Sequence, residues 1–167
     1  MSDPTDDLLA TLLAKQAITE QLHAYCRGMD RIDLDLTRSV FTADSVADYG
    51  AMYSGSGYGF ADFIGEVHPP MQTHSHHLSN VTISLAGDRA GSEAYVIVRL
   101  RTGDGRTDLV SHGRYVDRWR REDGTWRIFH RRYLHTLDYS EPVTNAMFGT
   151  AGTRDREDPS YDVLGDP

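Results

Sequence analysis

Histidines concentrate in one short segment of the chain, and they are the first residues that suggest chemistry. Residues 73–80 read Thr-His-Ser-His-His-Leu-Ser-Asn, which places His74, His76 and His77 within four positions. In a strand, His74 and His76 share one face and His77 takes the other, because successive side chains alternate. Three interpretations compete: a polar strand start with partly exposed histidines, a metal site, and a general base.

The metal interpretation takes His74 and His76 as two ligands on one face of a strand. Such a site needs a third ligand and an acid close by. Where a barrel-type metal motif would place a glutamate, the sequence has Asn80 and Val81. We therefore expect neither a metal nor another cofactor at this segment.

The general-base interpretation relies on imidazole, whose ordinary pKa lies nearest to neutrality, and it requires an acid to fix the tautomer. Asp30 is the best candidate acid, since it follows the apolar Cys26 and Met29 at the end of the first predicted helix. A carboxylate at a helix C-terminus is unfavourable by about 0.3–1 kcal/mol, so this position calls for a compensating partner. An ordinary helix-terminal aspartate ahead of a capping Asp33 is the simpler alternative.

Other polar residues could point inward beside such a base. Tyr25 precedes Asp30 by five residues, about 140° around an ideal helix, so spacing alone does not put the two on one face. A buried Arg131 would need an anion beside it, and Tyr49, like Tyr25, equally fits an amphipathic core position. Strand alternation, with a glycine leaving room for a ligand, predicts a pocket lined by Val96, Val98, Ser111, Gly113, Tyr115 and Phe129.

Three helices are predicted to position these residues. Apolar residues recur with a period near 3.6 over residues 6–29, which indicates a long amphipathic helix. A shorter helical pattern follows at 33–41, introduced by the capping-type Asp33. A third covers 58–67, where Pro69 ends it.

The remainder predicts a sheet. A short strand is expected at 45–49, and four long strands follow, separated by Gly-Asp and Asp-Gly turn signals. Helices gathered ahead of antiparallel strands indicate an α+β domain, with helices on one face of a curved sheet. We expect one domain over residues 1–140 and a tail at 141–167 that is a lid, an exchange arm or disordered. The long strands are predicted at 75–85, 89–101, 106–121 and 125–137.

Composition narrows the class of protein. The 167 residues include 17 basic and 25 acidic side chains, a net charge of −8, which makes nucleic acid an unfavourable partner. A single cysteine, Cys26, excludes an internal disulfide, and no apolar run reaches the roughly 20 residues of a membrane span. The first seven residues do not read as a signal peptide, so we expect no membrane association and a cytoplasmic protein.

The motifs together resemble one superfamily over about residues 15–139. The chain is similar to the nuclear transport factor 2-like superfamily, in its SnoaL-like (polyketide cyclase) branch. That resemblance implies a cone-shaped, mixed but mostly antiparallel sheet wrapped around three helices. It rests on Ile18-x3-Leu22-x2-Tyr25-x4-Asp30-x2-Asp33, Phe41-x2-Asp44-Ser-Val, His76-x2-Ser79-Asn80 and Gly113-Arg-Tyr115-Val-Asp117-x5-Asp123-Gly124-x-Trp126-Arg127-Ile128.

Within that branch the chain resembles a group that includes scytalone dehydratase, hexachlorocyclohexane dehydrochlorinase and bile acid 7α-dehydratase. The resemblance implies a catalytic dyad of Asp30 and His76, with Tyr25 and Tyr49 at the positions of pocket tyrosines and Arg131 at that of a catalytic arginine. It implies a cofactor-independent, dehydratase-like lyase that acts on an apolar cyclic or polycyclic hydroxylated substrate. Relatives form dimers or trimers, which implies a homo-oligomer.

Departures from the group keep other functions open. Tyr25 replaces the dehydrochlorinase lysine, which argues against loss of halide. The nearest counterpart of a second dehydratase histidine is His112, but alternation turns it away from the pocket. Tyr49 stands where ketosteroid isomerase has its base, although the neighbouring Asp48 leaves an isomerase or cyclase possible. A non-catalytic small-ligand-binding protein, or the β subunit of a ring-hydroxylating dioxygenase, is the alternative from another class.

Overall fold

The computed structural model describes residues 3–144 and 152–165 as an α+β structure with one six-stranded sheet. This confirms the predicted fold class. In chain order the elements are α1 Pro4–Arg31, α2 Leu34–Ser39, β1 Phe41–Asp48, β2 Ser54–Gly55, α3 Gly57–Val67, β3 Thr73–Ala86, β4 Arg89–Arg101, β5 Thr107–Glu122, β6 Thr125–Pro142 and α4 Ser160–Leu164.

Helix α1 is anchored by its C-terminal half. Ile18, Leu22, Tyr25 and Met29 are buried at intervals of three or four residues, which places them on one stripe of the helix. The helix ends at Arg31, and the left-handed backbone of the next residue, Ile32 (φ 52°), turns the chain toward α2. Asp30 therefore lies in the last turn, next to the buried stripe.

Helix α2 is shorter than the sequence pattern predicts. Asp33 caps it as expected, since its carboxylate accepts a hydrogen bond from the Leu36 amide at 2.9 Å. Phe41 was predicted to end this helix but instead begins β1, four residues before the predicted Ser45, and pairs with Ile128. Pairing with β6 overrides the local helical pattern.

The sheet has the strand order β2-β1-β6-β5-β4-β3. All neighbours are antiparallel except β1 and β6, which run parallel. Strand β6 continues to Pro142, five residues past its predicted end, so the first two residues of the predicted tail, 141 and 142, belong to the sheet. Helix α1 packs on β3 and β6 while α3 packs on β1, so one concave face of the sheet carries the helices and the site.

The described part of the C-terminal segment packs on the end of α1. Arg31 Nη2 lies 2.8 Å from Asp158 Oδ1, Arg27 donates to Ser160, and the Arg27 guanidinium stacks over Tyr161. The predicted tail also includes residues 145–151 and 166–167, which lie outside the described residues. None of the helices in the described ranges is both long and apolar enough to cross a membrane.

Candidate active site

An aspartate–histidine pair joins α1 to β3. Asp30 Oδ1 lies 2.6 Å from His76 Nδ1, and Asp30 Oδ2 accepts the backbone N–H of His76 at 3.2 Å. The His76 side chain is only 3% exposed and the Asp30 side chain 26%. These two hydrogen bonds offset the unfavourable position of a carboxylate at a helix C-terminus, and they hold the imidazole in one orientation.

This geometry selects the tautomer of His76. An ionised carboxylate only accepts hydrogen bonds, so Nδ1 of the neutral ring carries the proton and Nε2 carries the free lone pair. His76 also lines a cavity of about 140 Å³ between the helices and the sheet. The dyad can therefore present a base to whatever occupies that cavity.

The cavity wall is otherwise almost entirely apolar and aromatic. A volume of about 140 Å³ suits a single six-membered ring, since an engineered protein cavity of similar size binds benzene. Its polar groups are the rings of His68 and His76, the Ser111 hydroxyl and the hydroxyl groups of the tyrosines. The lining residues are Tyr25, Met29, Tyr49, Met52, Phe60, Ile64, His68, His76, Val98, Leu100, Ser111, Tyr115 and Tyr133.

Two tyrosine hydroxyls meet at the cavity wall. The Tyr25 and Tyr49 oxygens are 2.7 Å apart, and the Tyr49 ring stacks on Phe60 with a centroid distance of 3.9 Å. Burial, reinforced by the neighbouring Tyr49, raises the pKa of Tyr25 well above its usual value. Burial also raises the pKa of Tyr49. Both phenols therefore keep their protons, and the pair can donate a hydrogen bond to a ligand oxygen.

Arg131, predicted as a catalytic residue, lies behind the tyrosines rather than at the cavity surface. Its Nε and Nη2 donate to the Asp117 carboxylate at 2.8 and 2.6 Å, and neither side chain is exposed. Its guanidinium carbon lies 4.2 Å from the Tyr25 ring centroid and 4.1 Å from that of Tyr115. Arg131 thus reaches a ligand only through the tyrosines that it supports.

Six of the predicted site residues line the cavity, and Asp30 contacts His76 from behind. Phe129 does not, because a β-bulge in β6 between Ile128 and His130 turns its side chain to the other face, beneath the guanidinium groups of Arg89 and Arg120. The six are Tyr25, Tyr49, His76, Val98, Ser111 and Tyr115.

Gly113 and Val96 are likewise displaced from their predicted roles. A Cβ on Gly113 would come within 2.3 Å of the Tyr133 ring, so the space that this glycine leaves is filled by Tyr133 and not by a ligand. Val96 is buried in the core without lining the cavity. The Tyr133 hydroxyl lies 2.9 Å from Ser111 Oγ, which places Tyr133 at the site instead.

Sequence reasoning missed the contribution of α3. Phe60, Ile64 and His68 all line the cavity, and their spacing of four residues was the available signal for a shared helix face. Met29 was identified only as a helix residue, but it also lines the cavity.

A second histidine pair lies beside the dyad. The His68 and His74 rings have centroids 4.6 Å apart, and three of their four ring nitrogens are buried without a hydrogen-bond partner in the described residues. Burial, together with nearby positive groups, lowers the pKa of each ring to about 4. Both rings are therefore neutral at physiological pH. Within residues 3–144 and 152–165, no three His, Cys, Asp or Glu side chains converge as metal ligands would.

Two further candidates lie away from the dyad. Asp48, which left an isomerase possible, points to a groove outside the cavity, where it faces Arg132 at 3.5 Å. His112 pairs with Ile97 and Leu137 in the sheet, and its ring lies beside that of Tyr139. As alternation predicts, His112 does not line the cavity.

The sequence matches a known protein family. The family model of the SnoaL-like domain matches residues 10–132. The chain belongs to the SnoaL-like family. This confirms the predicted placement in the nuclear transport factor 2-like superfamily. The matched residues contain both members of the dyad and every residue of the cavity wall except Tyr133.

Solved structures with the same fold include proteins that are named after different activities. A candidate scytalone dehydratase from Novosphingobium aromaticivorans superposes with a TM-score of 0.72 at 21% identity, covering 81% of this chain and 97% of that one. A type 2 hexachlorocyclohexane dehydrochlorinase, LinA, gives 0.73 at 19%, covering 86% and 98%. A candidate aromatic ring hydroxylase from N. aromaticivorans gives 0.68 at 28%, covering 85% and 96%. No curated protein matches the chain.

Proposed function

We propose that this SnoaL-like protein is a cofactor-independent, dehydratase-like lyase that removes water from an apolar cyclic hydroxylated substrate. The observation that carries the proposal is the dyad: His76 Nδ1 is held by Asp30 at 2.6 Å while the same ring lines an apolar cavity. A histidine that is fixed in one tautomer and lies at the wall of an apolar cavity is suited to removing a proton from carbon.

The reaction balances without an external reagent. His76 Nε2 takes a proton from the carbon next to a carbonyl group, and the electrons of that C–H bond form the carbon–carbon double bond. The bond from the adjacent carbon to its hydroxyl group breaks, and the proton on His76 returns to the departing oxygen to form water. Asp30 stabilises the transient imidazolium and keeps the ring in place.

The tyrosine pair supplies the oxyanion stabilisation in this proposal. A hydrogen bond donated from the Tyr25–Tyr49 pair to the substrate carbonyl oxygen would stabilise the enolate that develops as the C–H bond breaks. Arg131 acts from behind, since its charge lies against the face of the Tyr25 ring. We therefore treat Arg131 as a positioning residue.

Cavity size restricts the substrate. A cavity of about 140 Å³ holds one ring. Of the cyclic or polycyclic substrates that the sequence analysis allows, it therefore encloses only a single-ring one. An open groove of about 470 Å³ shares Val98, Leu100 and Ser111 with the cavity wall. The reacting ring would sit against His76, and any further rings or chain would extend along this groove.

A binding-only protein or a dioxygenase subunit is the rival from another class, and a ring hydroxylase is among the structural relatives. Such a protein has no need for a fixed imidazole at the wall of an apolar cavity, so the dyad favours an enzyme. An isomerase or cyclase would use the same base without losing water, and product analysis separates it from a dehydratase.

The test is a screen of single-ring β-hydroxy ketones, which lose water to give conjugated enones that absorb in the ultraviolet. For any compound turned over, we expect His76→Gln and Asp30→Asn each to lower kcat by at least about 100-fold with little change in ligand affinity. His77→Gln is the matched control, because His77 is exposed on the opposite face of β3. Equal turnover by wild type and His76→Gln would remove the dyad from the mechanism.

If no compound is turned over, the alternative function as a dioxygenase subunit can be tested directly. A stable complex with an iron–sulfur protein in pull-down experiments would identify the chain as an oxygenase subunit. Self-association alone would not.

A further inference from the structure

His68 brings a second imidazole to the cavity wall, from a different element than the dyad. It follows the last residue of α3, where its backbone N–H donates to the Ile64 carbonyl at 3.0 Å. The His68 carbonyl in turn accepts the Met71 N–H at 2.9 Å. These two backbone hydrogen bonds fix the residue at the end of the helix, so the ring is held beside the same cavity that His76 lines.

The His68 ring has hydrogen-bonding capacity that the protein does not use. Within the described residues neither of its ring nitrogens has a hydrogen-bond partner, and Nδ1 is buried. Nε2 is therefore the ring nitrogen that a ligand in the cavity can reach. Most buried polar groups in folded proteins are hydrogen-bonded, so an unpaired ring at a cavity wall points to a ligand.

The ring is uncharged at physiological pH. Burial, together with the nearby His76 and Arg154, lowers the pKa of His68 to about 4. A neutral imidazole carries one N–H and one lone pair, so it can donate a hydrogen bond to a ligand oxygen. Because His68 has no charge, it also does not repel the imidazolium that forms on His76 when a proton is removed from the substrate.

The polar groups of the cavity wall lie toward different ends of α3. Tyr49 stacks on Phe60 with a centroid distance of 3.9 Å, and Phe60 precedes His68 by eight residues, a rise of about 12 Å along the helix. The Tyr25–Tyr49 hydroxyl pair therefore lies toward the start of α3, and His68 lies at its end. A ring whose carbonyl oxygen binds the tyrosines would direct its far side toward His68.

We propose that His68 Nε2 holds the hydroxyl group that leaves the substrate. This inference rests on the proposed dehydratase function and adds a residue that contacts the substrate. In a cyclic β-hydroxy ketone, the carbon that bears the hydroxyl group is two positions from the carbonyl carbon and lies on the side away from the carbonyl oxygen. That arrangement matches the separation of His68 from the tyrosine pair.

The step assigns one task to each histidine. His76 removes the proton from the carbon between the two oxygen-bearing carbons, while His68 donates a hydrogen bond to the hydroxyl oxygen. The carbon–oxygen bond breaks with its electron pair on that oxygen, which takes the proton from His76 and leaves as water. His68 keeps its own proton throughout, so it stabilises the charge that develops on the departing oxygen.

Two probes separate loss of water from proton removal. β-Hydroxycyclohexanone can lose water to give cyclohexenone, whereas cyclohexanone has no leaving group and only exchanges hydrogen for deuterium in heavy water. We expect His68→Leu to lower kcat for dehydration about 10–100-fold and to leave the exchange rate within about threefold of wild type. His76→Gln should lower both rates. His68→Gln should recover part of the dehydration rate, because its amide can donate a hydrogen bond.

Val67→Ala is the matched control, because Val67 is exposed and directly precedes His68. It should leave both rates unchanged, and circular dichroism establishes that each variant is folded. Dehydration by His68→Leu at the wild-type rate would overturn the inference and leave the proposed function intact. An equal loss of dehydration and exchange in His68→Leu would also overturn it, since His68 would then support the base rather than the leaving group.

Binding of the same two probes gives a measurement that does not require turnover. We expect wild type to bind β-hydroxycyclohexanone more tightly than cyclohexanone in NMR titrations, and His68→Leu to lose this preference. Equal affinities in wild type, or a preference that survives in His68→Leu, would overturn the inference. Failure of wild type to exchange or dehydrate either probe, with the preference present and dependent on His68, would count against the proposed function and not against the contact.

Discussion

Replacement of Asp117 by asparagine should destabilise the protein more than any other single polar substitution near the site. Asp117 and Arg131 are both fully buried, and the carboxylate accepts two hydrogen bonds from the guanidinium. Arg131 Nη1 already has no hydrogen-bond partner in the described residues. The asparagine amide would leave the guanidinium charge without a counter-charge, in a place where water cannot reach it.

The size of the effect follows from that burial. Removing one partner of a buried ion pair costs about 3–5 kcal/mol, because the remaining charge stays desolvated. Contacts of Arg131 with the faces of Tyr25 and Tyr115 each stabilise the cation by about 2 kcal/mol. Both contacts are already present in wild type, so they do not offset the loss of the carboxylate. Removing both charges, as in Asp117→Asn with Arg131→Met, should cost less than Asp117→Asn alone.

Urea unfolding of wild type, Asp117→Asn, Arg131→Met and the double variant measures the coupling between the two buried charges. We expect the free energy of unfolding of Asp117→Asn to fall by about 3–5 kcal/mol and that of the double variant to recover part of the loss. A cost below about 1 kcal/mol for Asp117→Asn, or a double variant whose loss equals the sum of the single losses, would refute the argument from a coupled buried charge.

Three further predictions concern the surroundings of the dyad. The pKa of His68 and of His74 is lowered to about 4, so between pH 6.5 and 4 the unfolded chain binds protons there that the folded chain does not. The free energy of unfolding is therefore highest above about pH 6.5 and falls on acidification, by about 1–2 kcal/mol per ring after allowance for partial exposure. His74→Gln should weaken the dependence of the urea midpoint on pH. An unchanged dependence in this variant would contradict the prediction. Gly113→Ala should cost about 1–3 kcal/mol in thermal unfolding, because its Cβ collides with the Tyr133 ring; a stabilised variant would show that the ring moves freely. Tyr49→Phe should lower kcat about 10–100-fold while the free energy of unfolding changes by about 1 kcal/mol; unchanged turnover on a substrate would remove the tyrosine pair from the mechanism.

The elements that carry the dyad could be predicted from the sequence because both have a strong periodic signal. The apolar spacing over residues 6–29 defines α1, and the alternation after His76 defines β3. The partnership of Asp30 with His76 came from the family resemblance together with the unfavourable helix-terminal position of Asp30. Neither argument needed the three-dimensional arrangement.

Other parts of the site depend on interactions that no local pattern encodes. The bulge at Phe129 adds one residue to β6, and from that point simple alternation assigns side chains to the wrong face. The pairing of Asp117 with Arg131 depends on the register between β5 and β6. The Tyr133 ring occupies the space left by Gly113, a contact between two strands that the sequence of either strand alone does not reveal.

The central claim is that Asp30 fixes His76 with its Nε2 lone pair directed at the cavity, and the tautomer of His76 can be measured. A long-range proton–nitrogen correlation spectrum of the labelled protein near neutral pH distinguishes protonated Nδ1 from protonated Nε2. We predict the Nδ1–H tautomer for His76 in wild type and a loss of this preference in Asp30→Asn. A ring that carries its proton on Nε2 in wild type would contradict the account, because it could not accept a proton from a substrate in the cavity.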